Sequence, residues 1–549
     1  MKSFKTSTIY QIYPKSYYDS NQDGLGDLKG ITEKLDYLYF LGVDYLWITP
    51  FFVSPQNDNG YDVEKYCEID PLFGTMEDFE ELVKESERRG MGVMLDMVFN
   101  HTSTQHTWFQ KALSGDEHYK DYYIFQDGVE GTPPTNWISK FGGSAWEYVP
   151  SLQQYYLHLF DKTQADLNWE NPKVRDELVN ILKFWINKGI KGFRFDVVNL
   201  ISKPYQYKDD IQGDGRRFYT DGPKVHQYLK EICKRSGLND SGMVTVGEMS
   251  STTIDHCVRY SNPEEEELSM CFNFHHLKVD YKNQEKWALQ DCDFIKLKDL
   301  LNTWQVGMQE GNGWNALFWC NHDQPRILSR FGDDKGYYKE SAKMLATMIH
   351  LLRGTPYIYQ GEEIGMTNAY FKNISQYKDV ESINYYHILK EQGKNEHDIM
   401  QILQERSRDN SRTPMQWSAE NNAGFSKERP WIDVIDNYKR INVEESITDQ
   451  DSIFHYYKKL ISLRKEHKVI SEGNYSPLLP EHQSVFAYKR EFLNQSLVVI
   501  NNFYGQETEA HFVEDLTGYQ CILSNYPERQ LINKMMLRPY ESMVYLKVK

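Results

Sequence analysis

The chain predicts an α/β fold built on a (β/α)8 TIM barrel, and three observations carry that reading. Eight short apolar runs recur along the sequence: STIYQIYP, VDYLWITPFF, GVMLDMVFNH, GFRFDVVN, MVTVGEMSS, MCFNFHH, ALFWCNHDQP and TPYIYQGEEIGM. Each has the length and the β-branched or aromatic content of a strand buried on both faces. Helical segments separate them, and strands alternating with helices imply a parallel sheet closed into a barrel. Three of the runs end at an acid, Asp196, Glu248 and Asp323. A barrel would bring all three to its C-terminal rim, where barrel active sites lie.

The separating segments carry their own signals. Thr75 and Asp78 form a capping box ahead of Phe79, Leu82 and Val83, and Gly90 stops that helix before the third strand. Asn171 and Pro172 open a second helix that runs through Phe184, with Gly189 as its stop before the fourth strand. Between His101 and Asp166 lies GVEGTPPTNWISKFGGSAWEYVP, too long for an ordinary βα loop and rich in Gly, Pro, Tyr and Trp. An inserted subdomain after strand three, overhanging the top face, is therefore expected. Its Trp137, Phe141 and Trp146 are candidate platforms for a ligand, but such rings more often pack in a core. Past about residue 471 the pattern changes to the alternating strands SVFAYKREF, SLVVINNF and ESMVYLKV, a separate C-terminal antiparallel β domain of sandwich type. The expected boundaries are 1–100 and 167–470 for the barrel, 101–166 for the insert and 471–549 for the C-terminal domain.

Composition narrows the function. A net charge of −17 over 549 residues argues against sequence-independent nucleic-acid binding, which needs clustered cations. No apolar stretch approaches the roughly 20 residues of a membrane span, and MKSFKTSTIYQIYP lacks the apolar core of a signal peptide, so a cytoplasmic protein is expected. Seven cysteines without a CxxC pair fit reduced core thiols, and zinc is not expected.

The three acids suit glycoside hydrolysis, which needs one carboxylate to attack the anomeric carbon and a protonated one to donate to the leaving oxygen. Arg194 lies two residues before Asp196, so on a strand both face the same way and the guanidinium keeps the aspartate ionised. Asp196 is then the nucleophile. Glu248 follows the apolar VTV, where burial would keep it protonated as the acid. Asp323 would hold the distorted sugar ring.

DMVFNH, GFRFDVVN, VGEM and NHDQ resemble, in order, the four signature segments of the α-amylase family, glycoside hydrolase family 13. The resemblance implies retaining double displacement in the roles just given, with His101 and His322 hydrogen-bonding sugar hydroxyls. NGYDV, with Asp62, and SRDNSRTPMQW, with Arg408 and Arg412, resemble the α-glucosidase and oligo-1,6-glucosidase branch. There an Asp and an Arg pair to close a pocket around the terminal glucose, and Asp62 with Arg408 is the expected pair. TPPTNW, FGGSAWE, DGRRFYTDGPKVH and VGEMSSTT resemble the members that cleave α,α-trehalose 6-phosphate, whereas an oligo-1,6-glucosidase would carry VGEMPG. Oligo-1,6-glucosidases and sucrose isomerases, which share the triad, are the alternative. A non-catalytic barrel of this family, serving as a binding subunit, would lack some of the acids. The expected partner is a small phosphorylated disaccharide, with neither nucleic acid nor membrane involved, and a monomer is expected. Its phosphate demands cations, for which Lys278 and Lys286 are the candidates, with Lys282, Arg216 and Arg217 behind them.

DSNQDGLGD sets Asp19, Asn21, Asp23, Leu25 and Asp27 at alternating positions with Gly24 at the turn, as in a calcium loop, although Gly30 stands where an EF-hand has its bidentate Glu. A structural Ca2+ is expected there, the alternative being a metal-free turn held by Asx hydrogen bonds. No organic cofactor is expected.

Overall fold

Eight parallel strands form one sheet in the structure, a computed structural model describing residues 3–128, 131–239 and 241–548. They are β1 (Ile9–Ile12), β2 (Tyr45–Ile48), β3 (Gly92–Met97), β4 (Gly192–Phe195), β5 (Val244–Glu248), β6 (Met270–Phe272), β7 (Ala316–Leu317) and β8 (Thr355–Tyr359). Their order is β6-β5-β4-β3-β2-β1-β8-β7. A parallel bridge between Cys271 and Asn315 joins the two ends, so the sheet closes into a barrel. Each strand falls in one of the eight apolar runs. Every residue in them is buried, which is why they read as continuous apolar stretches rather than as an alternation.

The helix Met76–Arg88 starts at the Thr75–Asp78 capping box and buries Phe79, Leu82 and Val83. The helix Pro172–Asn187 is capped by the Asn171 side chain on the Lys173 N–H. It runs past Phe184 because Trp185 still lies on its buried face. Gly90 and Gly189 follow these helices at φ of +72° and +89°, the left-handed turn that returns the chain to the sheet.

The insert enters through His101–Ser103 and leaves through Gln164–Asp166, which pair antiparallel. Trp137 and Trp146 pack in its own core with Val197 and Tyr219 of the barrel loops, so neither is a sugar platform. Buried Lys203 pins this subdomain to the barrel. Its ammonium donates to Asn100 Oδ1 at 2.8 Å and the Leu200 carbonyl at 2.6 Å, and pairs with Asp166 at 2.8 Å.

After residue 473 a five-stranded antiparallel sheet faces a two-stranded one, with Val485, Val498, Ile500, Leu537 and Met543 between them. No helix among the described residues is long and apolar enough to cross a membrane. All seven cysteines are unpaired.

Candidate active site

The register of the barrel brings four charged groups to one point. Arg194 lies opposite Asp96 of β3, and Phe195 opposite Gly247 of β5, so Asp196 emerges level with Glu248. Arg194, 1% exposed, donates through Nη1 to Asp96 Oδ1 at 2.6 Å and to Asp196 Oδ1 at 2.7 Å, and through Nη2 to Glu248. Asp196 and Glu248 thus converge on one guanidinium.

Three carboxylates around one buried guanidinium cannot all be ionised, because charge away from water is costly unless balanced. Burial pushes Glu248 well above its usual range; Arg194 opposes this, and the charges of Asp196 and Asp323 add to it. Burial also pushes Asp96 up, to about 6, against the pull of Arg194. Glu248 is thus driven toward its protonated form. The arrangement offers a nucleophile and an acid on one face of a narrow site.

Asp323, just beyond β7, is treated oppositely. Burial works against its charge, but the cations around it, Arg408 and Arg412 among them, outweigh it and hold the carboxyl well below the usual range. Arg412 Nη2 donates to Asp323 Oδ1 at 2.7 Å and its Nε to the His322 carbonyl at 2.9 Å, while Arg408 Nη1 lies at 3.3 Å from the same Oδ1. Arg412 therefore grips this acid more closely than Arg408 does.

His322 is held neutral, pushed down to about 3 chiefly by burial. The Gln11 amide sits 2.8 Å from its Nδ1 and its ring stacks on Tyr61 at 5.0 Å. This leaves Nε2, 3.5 Å from Asp323 Oδ2, as a donor without a hydrogen-bond partner among the described residues. His101 differs from expectation. Its Nε2 faces the Tyr61 carbonyl at 3.1 Å and its Nδ1 the Asn100 amide at 3.2 Å, so both ring nitrogens are engaged by the protein.

The pairing of Asp62 with Arg408 is not what the structure contains. Asp62 accepts from Ser54 Oγ at 2.9 Å and from the N–H groups of Asn57 and Asp58 at 2.9 and 3.1 Å, so it organises its own turn. Asp58 instead takes Arg408 Nη2 at 3.0 Å. Asp379 holds the same guanidinium from behind, at 2.8 Å from Nε and 2.6 Å from Nη2. Both acids share the segment NDNGYD, and an irregular turn has no period by which sequence could choose between them.

A cavity of about 240 Å³, lined by Glu248, Asp323 and Arg408, opens into a vestibule of about 930 Å³. Lys140 of the insert, Lys278 and Lys286 line both. Lys286 is neutralised by Glu381 at 2.6 Å, a partner 95 residues away that sequence reading did not foresee. Lys278 has no ion pair and no side-chain hydrogen bond to any described residue. Burial pushes it down to about 8, with help from Arg216. Lys140, singled out by no motif, is pushed down to about 8 by burial and then by Arg216, and its ammonium lies over the Tyr219 ring at 5.4 Å without an ion pair among the described residues. Arg216 lines the vestibule with one face on Asp214, at 2.9 Å from its Nε. Arg217 turns away to Asp210 at 2.8 Å, and Lys282 lines neither space.

The loop at residues 19–27 is held by its own hydrogen bonds. Asp19 accepts from the N–H groups of Gln22 at 2.6 Å and Gly24 at 2.8 Å, Asp23 from Leu25 at 2.9 Å, and Asp27 from Gly30 at 2.7 Å. No three His, Cys, Asp or Glu side chains among the described residues converge as metal ligands.

A family model described as the α-amylase catalytic domain matches residues 11–473, and one described as the C-terminal domain of the α-amylase SusG matches residues 485–544. The chain belongs to the α-amylase family. Within it, the chain is 55% identical to the trehalose-6-phosphate hydrolase of Bacillus subtilis over 99% of this chain and 98% of that one. It is 47% identical to an oligo-1,6-glucosidase of Bacillus cereus over 99% of each. The crystal structure of the trehalose-6-phosphate hydrolase of Bacillus licheniformis superposes with a TM-score of 0.96 at 56% identity, covering 100% of both chains. Asp196, Glu248 and Asp323, to which the resemblance assigns the triad, all lie within the matched segment.

Proposed function

We propose that the chain is a retaining α-glucosidase that hydrolyses α,α-trehalose 6-phosphate to glucose and glucose 6-phosphate. Asp196 attacks the anomeric carbon of the unphosphorylated ring while Glu248 gives its proton to the departing oxygen, forming a glycosyl-enzyme and releasing glucose 6-phosphate. Glu248, now a base, takes a proton from water, which attacks the same carbon and frees glucose. Asp323, kept ionised, holds the ring and stabilises the positive charge that develops on it. The Asp58–Arg408 pair closes the far end of the site, so only a terminal sugar fits.

The observation that carries the substrate choice is the pair of half-buried ammonium groups, Lys140 and Lys278, that form no ion pair among the described residues, beside Arg216 on the leaving-group side. Like charges in a buried site stay together at a cost that a dianionic phosphate would remove. An enzyme for neutral disaccharides has no use for them. Such a doubly charged sugar does not cross a bilayer unaided, so the enzyme would work in the cytoplasm.

Lys278→Ala tests this. A lost charge-assisted contact is worth about 1.5–3 kcal/mol, so KM for trehalose 6-phosphate should rise about 10- to 100-fold, with KM for 4-nitrophenyl α-glucoside changed less than about twofold. Equal rises on both substrates would remove the phosphate from Lys278.

For the loop at residues 19–27 we propose a structural calcium, held by the side-chain oxygens of Asp19, Asn21, Asp23 and Asp27 and the carbonyl of Leu25. An all-oxygen set in one turn suits that ion. Calcium at about 100 times its Kd would add about 2.7 kcal/mol of stability over chelated enzyme, seen as a higher Tm with kcat unchanged. An unchanged Tm would mean that the Asx hydrogen bonds suffice.

A further inference from the structure

The two catalytic carboxylates stand on neighbouring loops, and one asparagine ties those loops together. After Asp196 the chain takes a left-handed step at Val197, φ +33°, costly for a β-branched residue and sustained only where surrounding contacts enforce it. A 3-10 turn over Val198–Leu200 follows and carries Asn199 back toward the end of β5. Asn199 is 0% exposed. Its Nδ2 donates to the Ser250 carbonyl at 2.9 Å, and the Ser250 N–H donates to its Oδ1 at 2.9 Å. The other Nδ2 hydrogen goes to Asp221 Oδ1 at 3.1 Å, which also accepts from the Tyr260 hydroxyl at 2.7 Å. A side chain three residues after the nucleophile thus grips the backbone two residues after the acid. Where the same turn starts, the Val197 N–H lies 3.4 Å from Glu248 Oε2.

We propose that Asn199 is the positioning residue that sets the placement of Glu248 against Asp196, with Asp221 and Tyr260 holding its amide in that orientation. This rests on the reading of Glu248 as the proton donor. The geometry favours a positioning role because the amide bonds to both backbone groups of one residue, Ser250, a two-point contact that fixes direction as well as distance. Ser250 also lines the catalytic cavity, so a slack loop would move the wall on the leaving-group side as well. Proton transfer is sensitive to donor placement, and small errors there cost rate far more than they cost folding.

The test is a series of aryl α-glucosides, from phenyl to 4-nitrophenyl, whose leaving groups need progressively less help from an acid. For Asn199→Ala, kcat/KM on phenyl glucoside should fall by about 10²-fold while 4-nitrophenyl glucoside loses less than about fivefold, so dependence on leaving-group acidity steepens. Tyr260→Phe, which keeps the ring and removes only the donor to Asp221, should steepen the same dependence to a smaller degree and serves if Asn199→Ala fails to fold. Equal losses along the series, at the wild-type slope, would overturn the proposal and leave Asn199 a structural residue. None of these substrates carries phosphate. A wild-type enzyme that released no glucose 6-phosphate from trehalose 6-phosphate would sink the substrate reading and leave this result standing.

Discussion

Asp196→Ala should lower kcat on trehalose 6-phosphate by about 10⁴-fold or more, as removing a covalent nucleophile does in other hydrolases. The variant should still fold, since Arg194 keeps Asp96 at 2.6 Å and Glu248 as partners. Azide should restore turnover of 4-nitrophenyl α-glucoside by attacking from the face that the carboxylate left, giving β-glucosyl azide. Loss of activity without any azide product would argue that Asp196 supports the fold or binds substrate and does not attack carbon.

Glu248→Gln should cost about 10²- to 10⁴-fold on trehalose 6-phosphate, whose sugar leaving group must be protonated. The wild-type acid works only while protonated, and burial raises its pKa, so activity is lost as pH rises through that raised value. Glutamine removes this alkaline limb from the first chemical step. The same shift sets the sign for stability. A carboxyl whose folded pKa exceeds its unfolded one contributes stability that is complete below the unfolded pKa and is lost as pH rises through the folded pKa. Glu248→Gln should therefore unfold at an equal or higher temperature than wild type at neutral pH. A rate-versus-pH curve that keeps its alkaline limb in the variant would take the acid role away from Glu248.

The barrel was legible because its strands are buried on both faces, which leaves a continuous apolar signature with the acids as punctuation. Arg194 and Asp196 could be paired from strand alternation alone. Asp96 could in principle have been found by aligning β3 with β4, where it faces Arg194. Asp58 could not be told from Asp62, because both lie in a turn without periodicity. Lys140 sits in the insert, and nothing local in SKFGGSAW tells that this segment folds over the leaving-group side of the barrel. Lys286 looked free only because its partner, Glu381, is remote in the chain. The calcium motif was plain as a pattern, yet the same side chains satisfy the turn's own N–H groups.

The central claim is that Asp196 and Glu248 are close enough for one to bond the sugar while the other moves the proton. Two carboxyls around one guanidinium meet this condition, whereas an inverting pair stands about 6.5–9.5 Å apart to admit a water. Proton NMR of the first seconds of trehalose 6-phosphate hydrolysis reads the outcome directly. The glucose released from the unphosphorylated ring should appear first as the α-anomer and drift to the equilibrium mixture. Glucose appearing first as the β-anomer would contradict the account.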